Sequence, residues 1–345
     1  MAANLDKQQA RLIGLDFFRF FFIIWICLFH FETPFATDHA NIAVEFFFIV
    51  SGFFLTRTWK KGSLSPFEYT KNRIERLFPP YIVALILTYA ITIIRNLNES
   101  SLEIHPNDYL FAFISESSLL QETGWFSLSF GFTTWFVSAL VIAGYFIYAF
   151  LYSCQKTAFS IILPITIITG YTAIASNNCT LTGAWGTEAT SQSFVFLPLC
   201  RALAGIALGS LIYHILDITK GGKTSQWILV SLHIIGLILI TYYGFFVKKN
   251  YDFYAIILFV LILIPLLKPD SPINRVFKSR LWVFLGGISY EMFLLHIPIK
   301  SIINFFNGYI TINHGLLTIL YLVITVLAAW GLKVSISHIK HRQSI

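Results

Sequence analysis

The chain of 345 residues is 56% hydrophobic and only 12% charged, with a formal net charge of +7 and a mean hydropathy of +0.71. A soluble domain carries about 25% charged residues, so the composition excludes a water-soluble globular domain and points to a chain that lies almost wholly in the bilayer. The Lys and Arg excess does not argue for nucleic acid, because it is spread over short segments between apolar spans and reads as an orientation signal.

Apolar runs of the length that a hydrocarbon core of about 30 Å demands fall at 13–32, 42–58, 77–95, 133–153, 158–176, 194–214, 227–247, 252–267, 282–303 and 315–333, the second and eighth being short. The expected fold is all-α: a polytopic membrane bundle of about ten transmembrane helices with no soluble domain at either end. Lys7 and Arg11 precede the first run, and no small-residue cleavage site follows, so that run is expected to stay as an anchor.

The first span carries Arg19 and His30 in a Phe/Ile-rich stretch. A charge inside a membrane helix costs at least about 2.5–3.5 kcal/mol, which makes it a functional candidate. Eleven positions return to within roughly 20° of one helix face, about 16 Å along the axis, so one face is expected to hold a fixed cation at depth and a titratable imidazole near its end. Glu45 opens the second span in VEFFFIVSGFFLT, at a similar depth to His30. It is expected to orient His30 by accepting a proton from one ring nitrogen; the alternative is a hydrated interfacial carboxylate.

Lys71, Arg73 and Arg76 cluster just before the third span, where Arg73 and Arg76 at i and i+3 share a helix face suited to phosphate. A plain positive-inside anchor explains the cluster equally well. Pro79 and Pro80 are expected to break or kink the helix there. Residues 96–132 hold Glu99, Glu103, Asp108, Glu116 and Glu122 with no Lys or Arg, and form either a short helical cap over the membrane mouth or a solvated acidic loop. Trp135 and Ser138 open the fourth span, where spacing alone makes Trp135 an aromatic-belt anchor. Arg201, among small residues of the sixth span, is expected to face a cavity or a carboxylate. The ninth span, GGISYEMFLLHIPIK, carries Tyr290, Glu291 and His296, and places His296 at the depth of His30. The joint His30–His296 site stands beside the reading of two separate structural histidines.

An even number of spans puts both termini on one side. With that side cytoplasmic, only Arg95, Lys248, Lys249 and Lys300 of the 24 Lys and Arg fall outside, and Arg19 and Arg201 are left within the membrane. The four cysteines (Cys27, Cys154, Cys179, Cys200) lack metal or redox spacing and read as small hydrophobes, and the basic tail with His338 and His341 reads as a solvated end, so no metal is expected. Nucleophile-elbow, Walker, HExxH and HxxxxD motifs are absent.

Taken together, LDFFRFFFIIWICLFHF, VEFFFIVSGFFL, RIERLFPPY, TWFVSAL and GISYEMFLLHIPI, in this order from residue 15 to 299, resemble the acyltransferase 3 family of bacterial membrane O-acyltransferases. The resemblance covers essentially the whole chain, 1–345, as a single transmembrane domain. It implies transfer of an acyl group, acetyl first among them, from cytoplasmic acyl-CoA to a hydroxyl of a cell-surface or lipid-linked glycan in the bacterial inner membrane. Arg19 and His30 fall on the family's Arg–His motif, Arg73 and Arg76 on its basic motif, Trp135 and Ser138 on its Trp-Phe-x-Ser segment and His296 on its late histidine. The reading that follows gives His30 the role of base or transient acyl carrier, with Glu45 and Arg19 beside it. Arg73, Arg76 and Lys71 hold the CoA phosphates, and Trp135, Ser138, Arg201, Tyr290 and His296 line the path. The expected partners are a glycan acceptor and the lipid bilayer, and a homo-oligomer is compatible with the sequence. The alternative is a transporter or flippase for a glycan or lipid-linked sugar.

Overall fold

The computed structural model describes residues 12–33, 39–62, 64–98, 105–123, 129–131, 133–177, 180–181, 196–219, 225–247, 251–268, 271–277, 279–307 and 313–343, with only the backbone of Asn98, Arg275 and 341–343. Lys7, Arg11, Cys179, Lys220, Lys223, Lys248, Lys249 and Lys278 lie outside the described residues, as do the side chains of Arg275, His341 and Arg342.

Among the described residues there are helices and no strands: α1 (Ile13–His30), α2 (Ala43–Lys60), α3 (Pro66–Asn98), α4 (Pro106–Ser117), α5 (Thr134–Ser153), α6 (Gln155–Ser176, with a π-turn at Ala158–Ile162), α7 (Leu197–Ile218), α8 (Gln226–Phe246), α9 (Tyr254–Leu267), α10 (Arg280–Gly287), α11 (Ser289–Asn307) and α12 (His314–Gln343). Eight of these are long and apolar enough to cross a membrane, and α10 with α11 makes a ninth span bent by 53°. The tenth expected span is α9, whose 14 residues rise only about 21 Å. The molecule is thus a polytopic all-α membrane bundle. Its two ends are named here for Lys60, which pairs with Asp217 at 3.1 Å, and for His30 at the other end of α1.

Helices α2 and α7 form the closest contact. A Cβ on Gly52 would lie 2.0 Å from Ile206 O and one on Gly209 only 1.8 Å from Ile49 O, so neither position has room for a side chain. Gly205 and Gly209 form a small-xxx-small pair of the kind that lets membrane helices approach backbone to backbone. Ser210 Oγ donates across this seam to Gly52 O at 3.3 Å.

Two expectations are corrected, and a third point that the sequence left open is decided for the described residues. First, α3 begins at Pro66 rather than near 77 and runs through Pro79 and Pro80. A proline leaves the carbonyl four residues earlier without its helical donor. For Pro79 that carbonyl is Glu75 O, and Lys340 Nζ from α12 donates to it at 3.1 Å. Second, the ninth span is broken after Gly286-Gly287. Gly286 lies against Asp16 (a Cβ would sit 2.4 Å from its carbonyl oxygen), Ser289 Oγ donates to Gly286 O at 2.8 Å, and Lys333 Nζ donates to Gly287 O. A straight-helix measure of depth therefore fails for His296. Third, the acidic loop is a cap and not a solvated segment. Glu116 and Glu122 are buried, while Leu110, Phe111 and Ile114 of α4 turn outward.

The cap is tied down by buried polar bonds. Glu116 Oε1 accepts from Gly131 N at 2.8 Å and from Ser129, and Tyr81 O–H donates to Glu116 O at 2.7 Å. Ser138 Oγ donates to Leu119 O at 2.7 Å, holding a residue whose φ of 57° is strained for an L side chain. Ser138 therefore acts as the anchor of the cap. Burial, with the Glu116 charge adding to it, pushes the Glu122 carboxyl from 4.5 up to about 8. An acid with a raised folded value binds its proton more tightly folded than unfolded, so cap stability is greatest at low pH and falls as pH rises from 4.5 toward about 8. Hydrogen exchange of residues 106–123 is expected to accelerate over that interval beyond its intrinsic pH dependence, and Glu122→Gln is expected to remove the excess; an unchanged excess in the variant counts against Glu122 as its source.

Candidate active site

His30 ends α1, and its place is set by the way that helix stops. Glu32 N–H donates to Phe29 O at 3.0 Å and Thr33 N–H to Leu28 O at 3.4 Å, the paired bonds of a Schellman cap. Glu32 takes the left-handed position with φ 57°, where glycine is the usual residue. Lys300 Nζ on α11 holds its carboxylate at 2.8 Å, and this cation keeps the Glu32 carboxyl below the usual carboxylate range. The clamp joins the end of α1 to α11 one turn beyond His296.

The rings of His30 and His296 lie 5.1 Å apart between centroids. His296 is fully buried, and its Nδ1 is 2.7 Å from Phe293 O. A carbonyl only accepts, so Nδ1 carries the proton and Nε2 is left as an acceptor; Nε2 has no hydrogen-bond partner among the described residues.

His30 also lines two cavities. On one side is an open cavity of about 380 Å³, lined with His30 by Arg95, Lys300, Ser301, Asn304 and Phe305. On the other is a much smaller one of about 20 Å³, lined with His30 by Ile26, Asn41, Val44, Thr133, Trp135 and Phe293, room for about one water. Neither cavity reaches the Lys60 end, and Arg19 lines neither. Arg19 is instead 3.7 Å from Asp16, its side chain 32% exposed. The face that Arg19 and His30 share in the helical wheel is therefore not a single lined path.

Glu45 does not orient His30. Its Oε2 receives Arg201 Nε at 3.1 Å, with both side chains fully buried, and its Oε1 receives the Tyr171 hydroxyl. Arg201 Nη2 donates to Asn41 O at 2.9 Å, and its guanidinium carbon lies 5.9 Å from the Trp135 ring centre. Gly205 makes room for the carboxylate, since a Cβ there would lie 2.6 Å from Glu45 Oε1. Trp135 is buried against this ion pair and is not a belt anchor. The pair stands behind the smaller cavity through Asn41 and Trp135.

At the Lys60 end the basic motif is divided. Arg73 is buried and donates to Tyr69 and Ser51, with Nε unpartnered among the described residues. Arg76 and Lys71 are exposed, Lys71 lying 3.9 Å from Glu75. Their spacing alone suggested one shared face; the hydroxyls of Ser51 and Tyr69 draw only Arg73 inward. Tyr290 O–H donates to Leu77 O at 3.1 Å and fastens α11 to α3. Among the described residues no group of three or more His, Cys, Asp and Glu side chains is placed to hold a metal ion.

Sequence reasoning missed Asn41, Tyr171 and Phe293, which carry no signal in an apolar chain. It saw Arg95 and Lys300 only as orientation charges.

Residues 12–334 match a family model described as an acyltransferase domain, of the acyltransferase 3 type. A stretch of 91 residues, 25% of this chain, is 35% identical to "Protein 2 in picA locus" of Rhizobium radiobacter and covers 48% of it, so the chain spans about half the length of this curated relative. No solved structure matches the chain at a significant level.

Removing one partner of a buried ion pair typically costs about 3–5 kcal/mol, because the other charge is stranded. Glu45→Gln and Arg201→Met are each expected to lower the thermal midpoint in nanodiscs strongly. The double variant is expected to lose clearly less than the sum of the two; strict additivity would show that the pair is not coupled.

Proposed function

Since the chain belongs to the acyltransferase 3 family and is a membrane acyltransferase, we propose that it moves an acetyl group from acetyl-CoA in the cytoplasm to a hydroxyl of a cell-surface or lipid-linked glycan. The observation that carries this reading is the position of His30 in the lining of two cavities, a large one with Arg95 and Lys300 and a small one with Trp135 and Phe293. The acceptor hydroxyl enters from the large cavity and the acyl carbonyl lies on the side of the small one. His30 takes the hydroxyl proton as its oxygen attacks the thioester carbon. The carbon–sulfur bond breaks, and the proton leaves with the CoA thiolate. A route through an acetyl-histidine uses the same two cavities in two steps.

His296, with its tautomer set by Phe293, supports His30 by ring contact at 5.1 Å between centroids and not by the proton acceptance that spacing had suggested for Glu45. The exposed Arg76 and Lys71 meet the CoA phosphates at the Lys60 end, with Arg73 deeper in the bundle; Arg19, beside Asp16 and lining neither cavity, is given no contact with the donor. Placing the Lys60 end in the cytoplasm of an inner membrane is supported by the skew of Lys and Arg toward that end.

The test is CoA release and acetyl incorporation by purified protein given acetyl-CoA and envelope glycan. His30→Ala is expected to lower transfer by about 100-fold or more without lowering the thermal midpoint. His296→Gln is expected to lower kcat by about tenfold and displace the pH profile. Full transfer by His30→Ala overturns the role of His30. Movement of unmodified glycan with no CoA release would make the protein a transporter.

A further inference from the structure

The open cavity beside His30 has a chemical bias of its own. Its walls come from α3, which supplies Arg95, and α11, which supplies Lys300, Ser301 and Asn304. No carboxylate is among its described lining residues. Glu32 pairs with Lys300 from outside the lining, with its side chain 80% exposed. An ammonium has three N–H donors and Glu32 takes one. Arg95 is exposed at the mouth, and Phe305 offers a partly exposed ring of the kind on which a sugar face packs.

A site for a neutral sugar needs acceptors, because every sugar hydroxyl brings a donor hydrogen, and carboxylates and carbonyls supply them. Here the ligand would meet a guanidinium, an ammonium, an amide and a hydroxyl. Asn304 and Ser301 can accept as well as donate, but Arg95 and Lys300 only donate, and two cations with no carboxylate among the described lining residues favour an anionic oxygen cluster.

We propose that the cavity beside His30 binds an acceptor sugar carrying a negative charge near its reacting hydroxyl, either a uronate carboxylate or a sugar phosphate, held by Arg95 and Lys300. This deepens the acyl-transfer reading and rests on it for the acceptor's role. Lys300 also clamps Glu32, so altering it would disturb the end of α1, and Arg95 is the position to alter.

The experiment measures binding by saturation-transfer NMR to protein in phosphatidylcholine nanodiscs. The probes are methyl β-glucuronide, glucose 1-phosphate and methyl β-glucoside, each at low and high salt, and comparing the first two decides between carboxylate and phosphate. At least one charged probe is expected to bind about tenfold more tightly than the glucoside, with the advantage shrinking at high salt. Arg95→Gln is expected to remove most of that advantage and Arg95→Lys to keep it. Equal affinity for all three probes, no binding of any, or an unchanged ratio in Arg95→Gln overturns the proposal. Adding acetyl-CoA separates the two readings. Acetylation of neutral and charged sugars at equal rates refutes the anionic site and leaves acyl transfer standing; charge-selective binding with no release of CoA under any acceptor does the reverse.

Discussion

A guanidinium in the interior of a membrane protein must be neutralised there, and the Arg201–Glu45 pair is the constraint around which the His30 end of this bundle is built. Both side chains are fully buried, so each depends on the other. Their meeting requires α2 and α7 to touch backbone to backbone, and the chain supplies glycine where a side chain would prevent it: Gly52, Gly205 and Gly209. With the helices fixed at that distance, Arg201 reaches Asn41 and lies by Trp135. Those two residues then form one side of the smaller cavity whose other side is His30. The shape of the candidate site is thus a consequence of how one buried charge is satisfied.

The same requirement acts on the backbone. In hydrocarbon a carbonyl without a donor is costly, and at three helix ends or breaks a lysine side chain meets the exposed group. Lys340 serves the carbonyl freed by Pro79, Lys333 serves Gly287 at the break between α10 and α11, and Lys300 holds Glu32 where α1 reverses. All three lysines come from the last two helices. The C-terminal hairpin therefore staples α1 and α3, and in doing so it carries His296 beside His30.

Much of the architecture was legible in the sequence because the bilayer sets a minimum length for an apolar run, and each expected span holds a helix. Arg19, His30, Arg201 and His296 stood out because an ionisable group in such a run is costly. The partners were not legible. Nothing in the spacing of Glu45 tells that its carboxylate meets an arginine 156 positions later rather than a histidine 15 positions earlier. Trp135 reads as a belt residue until Arg201 is found beneath it. Pro79 reads as a helix end until Lys340 is found at Glu75. Arg73 and Arg76 have equivalent local sequence, and only the hydroxyls of Ser51 and Tyr69, from two different helices, separate the buried one from the exposed one.

An acyl donor and its acceptor pose opposite demands on solvent, and the two cavities at His30 meet them separately. A thioester carbonyl is open to hydrolysis wherever water is free to reach it. The smaller side is lined by Ile26, Val44, Trp135 and Phe293 together with Asn41 and Thr133, with room for about one water. A glycan must arrive hydrated and shed its water at polar groups, and the open side offers them. With His30 lining both cavities, an acceptor hydroxyl held beside the imidazole would have an orientational advantage over free water. On this reading, selectivity for the acyl group resides in the apolar faces of α1, α2, α5 and α11. Selectivity for the acceptor resides in α3 and a different turn of α11, so the two can change independently while the histidine pair between them stays the same.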